Sequence, residues 1–385
     1  MNLQSSKDIL SALVGFDTVS RNSNLDCIAW IEGYLDKHGV KHQRVYDETG
    51  QKSNVWATIG PKDVPGFILS GHTDVVPVDD QNWTDSPFKL TERDGKLYGR
   101  GSTDMKGYVA CCLAAVPDML KAKLKRPLHL AFSYDEEVGC WGVRRMIPKI
   151  IEGVAMPAAC FVGEPTEMDV VIGHKGKRSI KVIVRGRTCH SSLAPLGVNA
   201  VEYAARVIAK IRDISDRMAK SGARDELYDV PFSTGHTGYL HGGTALNIVP
   251  DIAMFEFEFR VLMVDKSDTL LKEVIDYAKN VLEPEMQKVA PEAGFEFQDR
   301  GEFAGLDTAL DADVTLLAKR LSGRNNHSKV AYGTEGGLFA KAGIPTIVCG
   351  PGNIDQAHKA DEWIAITELE KCGRFIDRLI EHCQQ

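Results

Sequence analysis

The stretch RPLHLAFSYDEEVGCWG, Arg126 to Gly142, starts as an apolar run and ends in three consecutive acids and a turn. Its first part, RPLHLAFSY (126–134), is short, apolar and bounded by a proline and an acid, as expected of a strand buried in a sheet. The acids then set a constraint. Neighbouring side chains of a regular strand point to opposite faces, so Glu136 and Glu137 cannot both serve one site from within it. If they do share a site, the strand ends before Glu136, near Tyr134, and the backbone bends there.

Two similar runs flank this one. GFILSG (66–71) and AACFVGE (158–164) read as buried strands, and MKGYVACCLAAVPDMLKAK (105–123) reads as a helix. Strands alternating with helices predict an α/β fold with a mostly parallel sheet flanked by helices. Ligands of such sheets bind outside the carboxyl ends of the strands. Each run here empties into polar residues, SGHTD, SYDEE and VGEPT, which places three carboxylate-bearing loops on one edge of one sheet.

From about Arg178 to Arg300 the pattern changes. It reads as a strand (179–185), a helix (197–219), two strands (about 229–240 and 246–262), a helix (267–289) and a final strand (294–299). The helix carries Val201, Ala204, Ala205, Ile208, Ile211 and Met218 at helical spacing. The order βαββαβ is that of a ferredoxin-like unit. Strand-like runs return in SKVAYGTEGG and GIPTIVCGPG, so residues 178–300 read as a domain inserted between two segments of a larger one, 1–177 and 301–385.

Composition narrows the function. A chain of 385 residues, 43% hydrophobic and 26% charged, is expected to form two soluble globular domains. No run approaches the roughly 18 apolar residues of a membrane span. The start, MNLQSSKDILSALVGFDTVS, has no basic, apolar and cleavage-like succession, and reads as an amphipathic helix of a cytoplasmic protein. A net charge of −7 disfavours a nucleic-acid partner. The one basic stretch, HKGKRSIKVIVRGR, alternates Ile180, Val182 and Val184 with Lys181, Ile183 and Arg185, as in a strand with one wet face. The nine cysteines contain no CxxC pair and read as buried small hydrophobes of a reducing compartment.

Five residues at expected strand ends or turns are candidate metal ligands: His72, Asp104, Glu137, Glu164 and His358. Two imidazoles and three carboxylates suit zinc, cobalt or manganese. Five ligands exceed the needs of one tetrahedral catalytic ion and fit two ions roughly 3.5–4 Å apart with one carboxylate bridging. Asp104, with a short side chain at the start of a helix, is the natural bridge. Each residue also has a structural reading: a core histidine for His72, a helix cap for Asp104, loop charge for Glu164, an exposed turn for His358. Asp74, two residues past His72, can accept the imidazole's other N–H, or simply form a turn before Pro77. If Glu137 is a ligand, Glu136 can stay free beside it and move a proton from water to a departing amine.

With these residues in place, the chain resembles the dinuclear-zinc aminoacylase and carboxypeptidase superfamily almost end to end. The blocks SGHTDVVPV, LYGRGSTDMKG, SYDEEVGCWG, VGEPT, GRTCHSS, GGTALNIVPD and GPGNIDQAHKADE match that family's in order. The resemblance implies that His72, Asp104, Glu137, Glu164 and His358 hold two divalent ions, zinc or cobalt, with Asp104 bridging. It implies that Glu136 is the general acid/base and that Asp74 orients His72. It implies that the inserted domain is a lid that also forms a homodimer, with His190 reaching the partner's active site to stabilise the oxyanion. Asn247 and Arg260 match lid residues that bind substrate, and Gly333 and Thr334 fall where the family contacts the substrate's carboxylate side. An arginine suits a planar carboxylate. The stretches VAYGTEGGLFAKAGIPTIVCGPGNIDQAHKADEWI and SYDEEVGCWGVRRMI are most like the branch that removes the acetyl group of acetylornithine in arginine biosynthesis. Succinyl-diaminopimelate or acetylcitrulline deacylation, dipeptide hydrolysis and non-catalytic amino-acid sensing are the competing readings. Glu335 could read a basic substrate side chain or be an ordinary charge at a helix start.

Overall fold

A computed structural model describes residues 2–385 and divides the chain into two compact units. The first contains residues up to His174, Leu306–Lys329 and Thr334–Gln385; the second contains Lys175–Gly305 and Val330–Gly333.

The first unit is built on a nine-stranded sheet. Its four central strands, in spatial order Leu128–Ser133, Phe67–His72, Ala159–Pro165 and Thr346–Gly350, run parallel. The outer strands, among them His42–Tyr46, Ser53–Ile59 and Val170–His174, pair antiparallel. The central strands are buried along their whole length, which is why they read as unbroken apolar runs. Residue 72 lies opposite residue 133 in the parallel ladder, so the two chains leave the sheet at the same level. The expected single helix after Asp104 is two, Lys106–Ala114 and Val116–Lys121, with Pro117 in the first turn of the second. Every residue of the first is buried, so it lacks the polar face that would have marked its ends. Its Lys106 ammonium donates at 3.0 Å to the carbonyl of Leu13, in the last turn of the helix Leu3–Val14, and to that of Phe16 just beyond it.

The second unit has a four-stranded antiparallel sheet in the order Thr234–Gly242, Ile252–Val261, Gly176–Arg185, Gly294–Phe303. Helix Ala200–Ser221 starts at Asn199, whose side chain accepts from the amides of Val201 and Glu202. Its buried face, Ala200, Ala204, Val207, Ile211, Ile214 and Met218, belongs to the same apolar cluster as Phe255, Phe257 and Phe259 of the sheet. Strand and helix alternate as βαββαβ. The strand expected to begin near residue 246 begins at Ile252, because residues 243–251 form a loop. The basic stretch is a strand whose Ile180, Val182 and Val184 are buried. Its cations pair across the sheet, Arg178 with Asp299 at 2.6 Å and Lys177 with Glu258 at 3.1 Å.

Candidate metal centre

The Glu136–Glu137 pair lies outside regular strand. The strand ends at Ser133, and Asp135 takes a left-handed conformation with φ of 53°. Both Asp135 carboxylate oxygens accept from the Lys52 ammonium, at 2.6 and 2.7 Å, which anchors the bend. The amides of Gly139 and Cys140 return to the Glu136 carbonyl, and that of Gly142 to the Tyr134 carbonyl, each at 3.0 Å. A Cβ at Gly142 would lie 2.4 Å from that carbonyl, so only glycine closes the turn.

Asp74 sets the orientation of the pair. Its Oδ1 accepts the amide of Glu136 at 3.1 Å, and its Oδ2 accepts the amide of Glu137 at 3.3 Å and the Ser20 hydroxyl at 2.7 Å. The contact with His72 differs from the expected one. His72 Nδ1 lies 2.9 Å from the Asp74 carbonyl and 3.5 Å from its carboxylate, so the backbone is the nearer partner. The carboxylate is occupied by the amides of the glutamate turn.

The five candidate ligands converge and divide about Asp104. Asp104 Oδ1 is 3.1 Å from His72 Nε2, and Glu164 Oε1 is 3.6 Å from the same nitrogen. On the other side, Asp104 Oδ2 is 3.2 Å and Glu137 Oε2 3.1 Å from His358 Nε2. Within 4.8 Å of one another lie donor atoms of His72, Asp104 and Glu137, and separately of His72, Glu136 and Glu164. His358, the most exposed at 52%, is in neither of these groups and reaches the centre from a left-handed turn. Asp104 caps no helix: the following helix starts at Lys106 without a side-chain cap. Glu164 follows Gly163, against which the Tyr108 ring packs so closely that a Cβ would meet it at 2.1 Å.

The electrostatics suit bound cations. Asp104, Glu136 and Glu164 are buried, the Glu137 side chain beside them is 8% exposed, and the ion-pair partners of Asp104, Glu137 and Glu164 are the two imidazoles. Burial pushes Glu136 and Glu164 well above the ordinary carboxylate range and Glu137 up to about 7, with neighbouring carboxylates adding to each. Burial would lower His72, but the neighbouring carboxylates of Asp104, Asp74 and Glu164 outweigh it and raise the imidazole. His358 rises to about 10 beside Asp104 and Glu137. Glu137 Oε1 and Glu164 Oε1 are buried without a hydrogen-bond partner. Buried carboxylate oxygens left without a hydrogen-bond partner, in a cluster that also holds two imidazoles, fit divalent cations, and this donor set suits zinc or cobalt.

Two further contacts had no sequence signal strong enough to find them. Ser20, which binds Asp74, lies 54 residues away in the chain. The Cys140 thiol is 3.4 Å from Glu136 Oε1, brought there by the turn. Glu335 stands at the start of helix Gly336–Lys341, as one reading expected, but it is fully buried rather than a solvated charge, and its oxygens accept from Ser70 at 2.5 Å and Ser133 at 2.7 Å. Thr334 belongs to the first unit, where its hydroxyl accepts from the Gly336 amide. His190, Asn247, Arg260 and Gly333 belong to the second. There the exposed His190 ring is fixed through Nδ1, 2.8 Å from the Ser192 hydroxyl, and Arg260 Nε donates to Glu258 at 2.8 Å.

Residues 68–382 match the peptidase family M20/M25/M40. The chain is similar to an acetylornithine deacetylase of Myxococcus xanthus, 31% identical over 97% of this chain and 96% of that one. It is also similar to an acetylornithine deacetylase of Photorhabdus laumondii, 32% identical over 94% and 91%. Its fold is similar to that of a Staphylococcus aureus tripeptidase, with a TM-score of 0.78 at 21% identity, covering 100% of this chain and 99% of that one.

Proposed function

The chain belongs to peptidase family M20/M25/M40, and on that premise we propose that it is a two-metal amidohydrolase that removes the acetyl group of N2-acetyl-L-ornithine. The observation that carries the chemistry is the division of Asp104: its two oxygens face two different imidazoles, each accompanied by its own glutamate. His72, Glu164 and Asp104 would hold one divalent ion, and His358, Glu137 and Asp104 the other. Zinc is the first choice and cobalt the second. Bound there, such ions supply Lewis-acid polarisation of an amide carbonyl and ease deprotonation of water.

The rest falls to the protein. Glu136 takes a proton from the attacking water and delivers it to the departing amine of ornithine. Its burial supports that role, since a carboxyl pushed well above its usual range can hold the proton between the two transfers. Asp74 keeps Glu136 and Glu137 side by side by binding both their amides. The second unit acts as lid and dimer contact, with His190 donating to the oxyanion in the partner's active site. That reading is supported by the exposed ring's fixation through Nδ1, which leaves Nε2 to donate. Dimerisation is supported by the edge strand Thr234–Gly242 and the loop after it, which expose Tyr239, Leu240, Leu246 and Ile248. Asn247 and Arg260 bind substrate, and Gly333 and Thr334 contact its carboxylate side. A cytoplasmic setting is supported by nine free cysteines, eight of them buried; no helix among the described residues is long and apolar enough to cross a membrane.

Parallel assays of zinc- or cobalt-loaded protein on N2-acetyl-L-ornithine, N-acetylcitrulline, N-succinyl-diaminopimelate and dipeptides test the assignment. The highest kcat/KM should be on acetylornithine. A preference for either of the others would move the activity to a sister deacylase, and cleavage of dipeptides alone would make it a peptidase.

A further inference from the structure

Glu362 lies four residues beyond His358, immediately before the short strand Trp363–Ala365, and is 1% exposed. Its Oε2 accepts from Arg100 Nη1 at 2.7 Å and the Gly101 amide at 3.0 Å. Its Oε1 accepts from the amides of Thr103 at 3.0 Å and Asp104 at 3.1 Å. One carboxylate therefore shapes the whole approach to Asp104. Arg100, itself 0% exposed, extends the frame to the other side. Its Nη1 donates to the Lys359 carbonyl at 3.2 Å, and its Nη2 to Gln81 Oε1 at 2.6 Å and the Pro77 carbonyl at 3.3 Å. Gln81 in turn donates to the carbonyl of His358 at 3.1 Å. Strand Lys96–Tyr98, just before this loop, pairs with Trp363–Ala365, so both loops leave from one ladder.

A buried ion pair adds little net stability compared with apolar side chains of the same size. Its value lies in fixed geometry: a planar guanidinium and a carboxylate that accepts four hydrogen bonds permit few alternative arrangements. We propose that the Arg100–Glu362 pair is a positioning device that sets Asp104 against His358 and thereby fixes how the two ions are shared. Glu362 touches neither substrate nor metal in this scheme. The inference rests on the reading of Asp104 and His358 as ligands.

The test is cobalt binding to the metal-free full-length chain, followed by titration calorimetry and by the visible absorption of the loaded protein. Glu362→Gln keeps the shape but turns a donor either toward Arg100 and Gly101 or toward the amides of Thr103 and Asp104. Arg100→Lys keeps the charge but loses the fork that reaches Lys359, Pro77 and Gln81, and serves as a second, milder variant should Glu362→Gln not fold. Loss of such supporting contacts costs about 10–100-fold in metal affinity. We expect weakening in that range for Glu362→Gln, a smaller one for Arg100→Lys, and an altered cobalt spectrum in both, with unchanged far-UV circular dichroism. Folded variants that bind two cobalt ions within twofold of the parent's affinity, with its spectrum, would overturn the positioning role. A parent chain that itself binds no cobalt would instead overturn the ligand assignment, and this inference with it.

Discussion

Replacing Asp74 by asparagine changes one atom and tests how the glutamate pair is held. The carboxylate accepts three hydrogen bonds, one on Oδ1 from Glu136 and two on Oδ2 from Glu137 and Ser20. In asparagine one of those oxygens becomes an NH2. Placed at Oδ1, it faces the Glu136 amide; placed at Oδ2, it faces the Glu137 amide, and only the Ser20 hydroxyl can rotate to adapt. Either way one buried amide loses its partner, beside a group that is 2% exposed. A hydrogen bond to a charged group is worth about 1.5–3 kcal/mol, and each 1.36 kcal/mol is tenfold in rate. The expected loss in kcat/KM on acetylornithine is therefore about 10- to 150-fold, measured at saturating metal. Ser20→Ala removes one donor to the same carboxylate but leaves the Glu136 and Glu137 amides paired and strands no buried N–H, so it should cost less than Asp74→Asn. An Asp74→Asn enzyme within threefold of the parent, or a Ser20→Ala enzyme as damaged as Asp74→Asn, would refute the argument.

Three other outcomes are expected. His358→Ala should fold normally, because the side chain is half exposed, and should reduce bound zinc from two ions to one; two tightly bound ions by elemental analysis would remove His358 from the ligand set. His129 is neutral in the native chain, its pKa pulled down to about 4 by burial, with Lys62 adding to the effect. The unfolded chain protonates below the ordinary value of 6.5, so stability present above pH 6.5 should be lost as pH falls toward 4, by about 3 kcal/mol. Urea unfolding of metal-free His129→Gln should show a shallower decline over that window, and parallel declines would exclude His129 as the cause. His190→Ala should lower kcat more than it raises KM, whereas an effect on KM alone would argue against contact with the transition state.

What was legible in the sequence follows from where the chemistry sits. Four parallel strands buried on both faces produce continuous apolar runs, and His72, Glu136, Glu137 and Glu164 stand where those runs stop or just beyond. The conflict between two adjacent glutamates and strand geometry forecast a bend, and the strand ends at Ser133, one residue before the expected Tyr134. Contacts that depend on the path of distant backbone were not legible. Nothing in SGHTD shows that the Asp74 carboxylate turns to the amides of residues 136 and 137 and leaves its carbonyl to His72. Nothing in GTEGG shows that Glu335 points inward to serines on two central strands. The helix after Asp104 was overextended because, buried on all sides, it has no amphipathic period to mark its end.

The most direct test of the mechanism is turnover and metal content of Glu136→Gln, measured on the same preparation. Glutamine has the shape of glutamate, and Glu136 is not one of the five proposed ligands. The variant should therefore keep two divalent ions per chain while acetylornithine hydrolysis falls by about 10²–10⁴. A variant that holds both ions and still turns over within tenfold of the parent would contradict the central claim that Glu136 moves the proton.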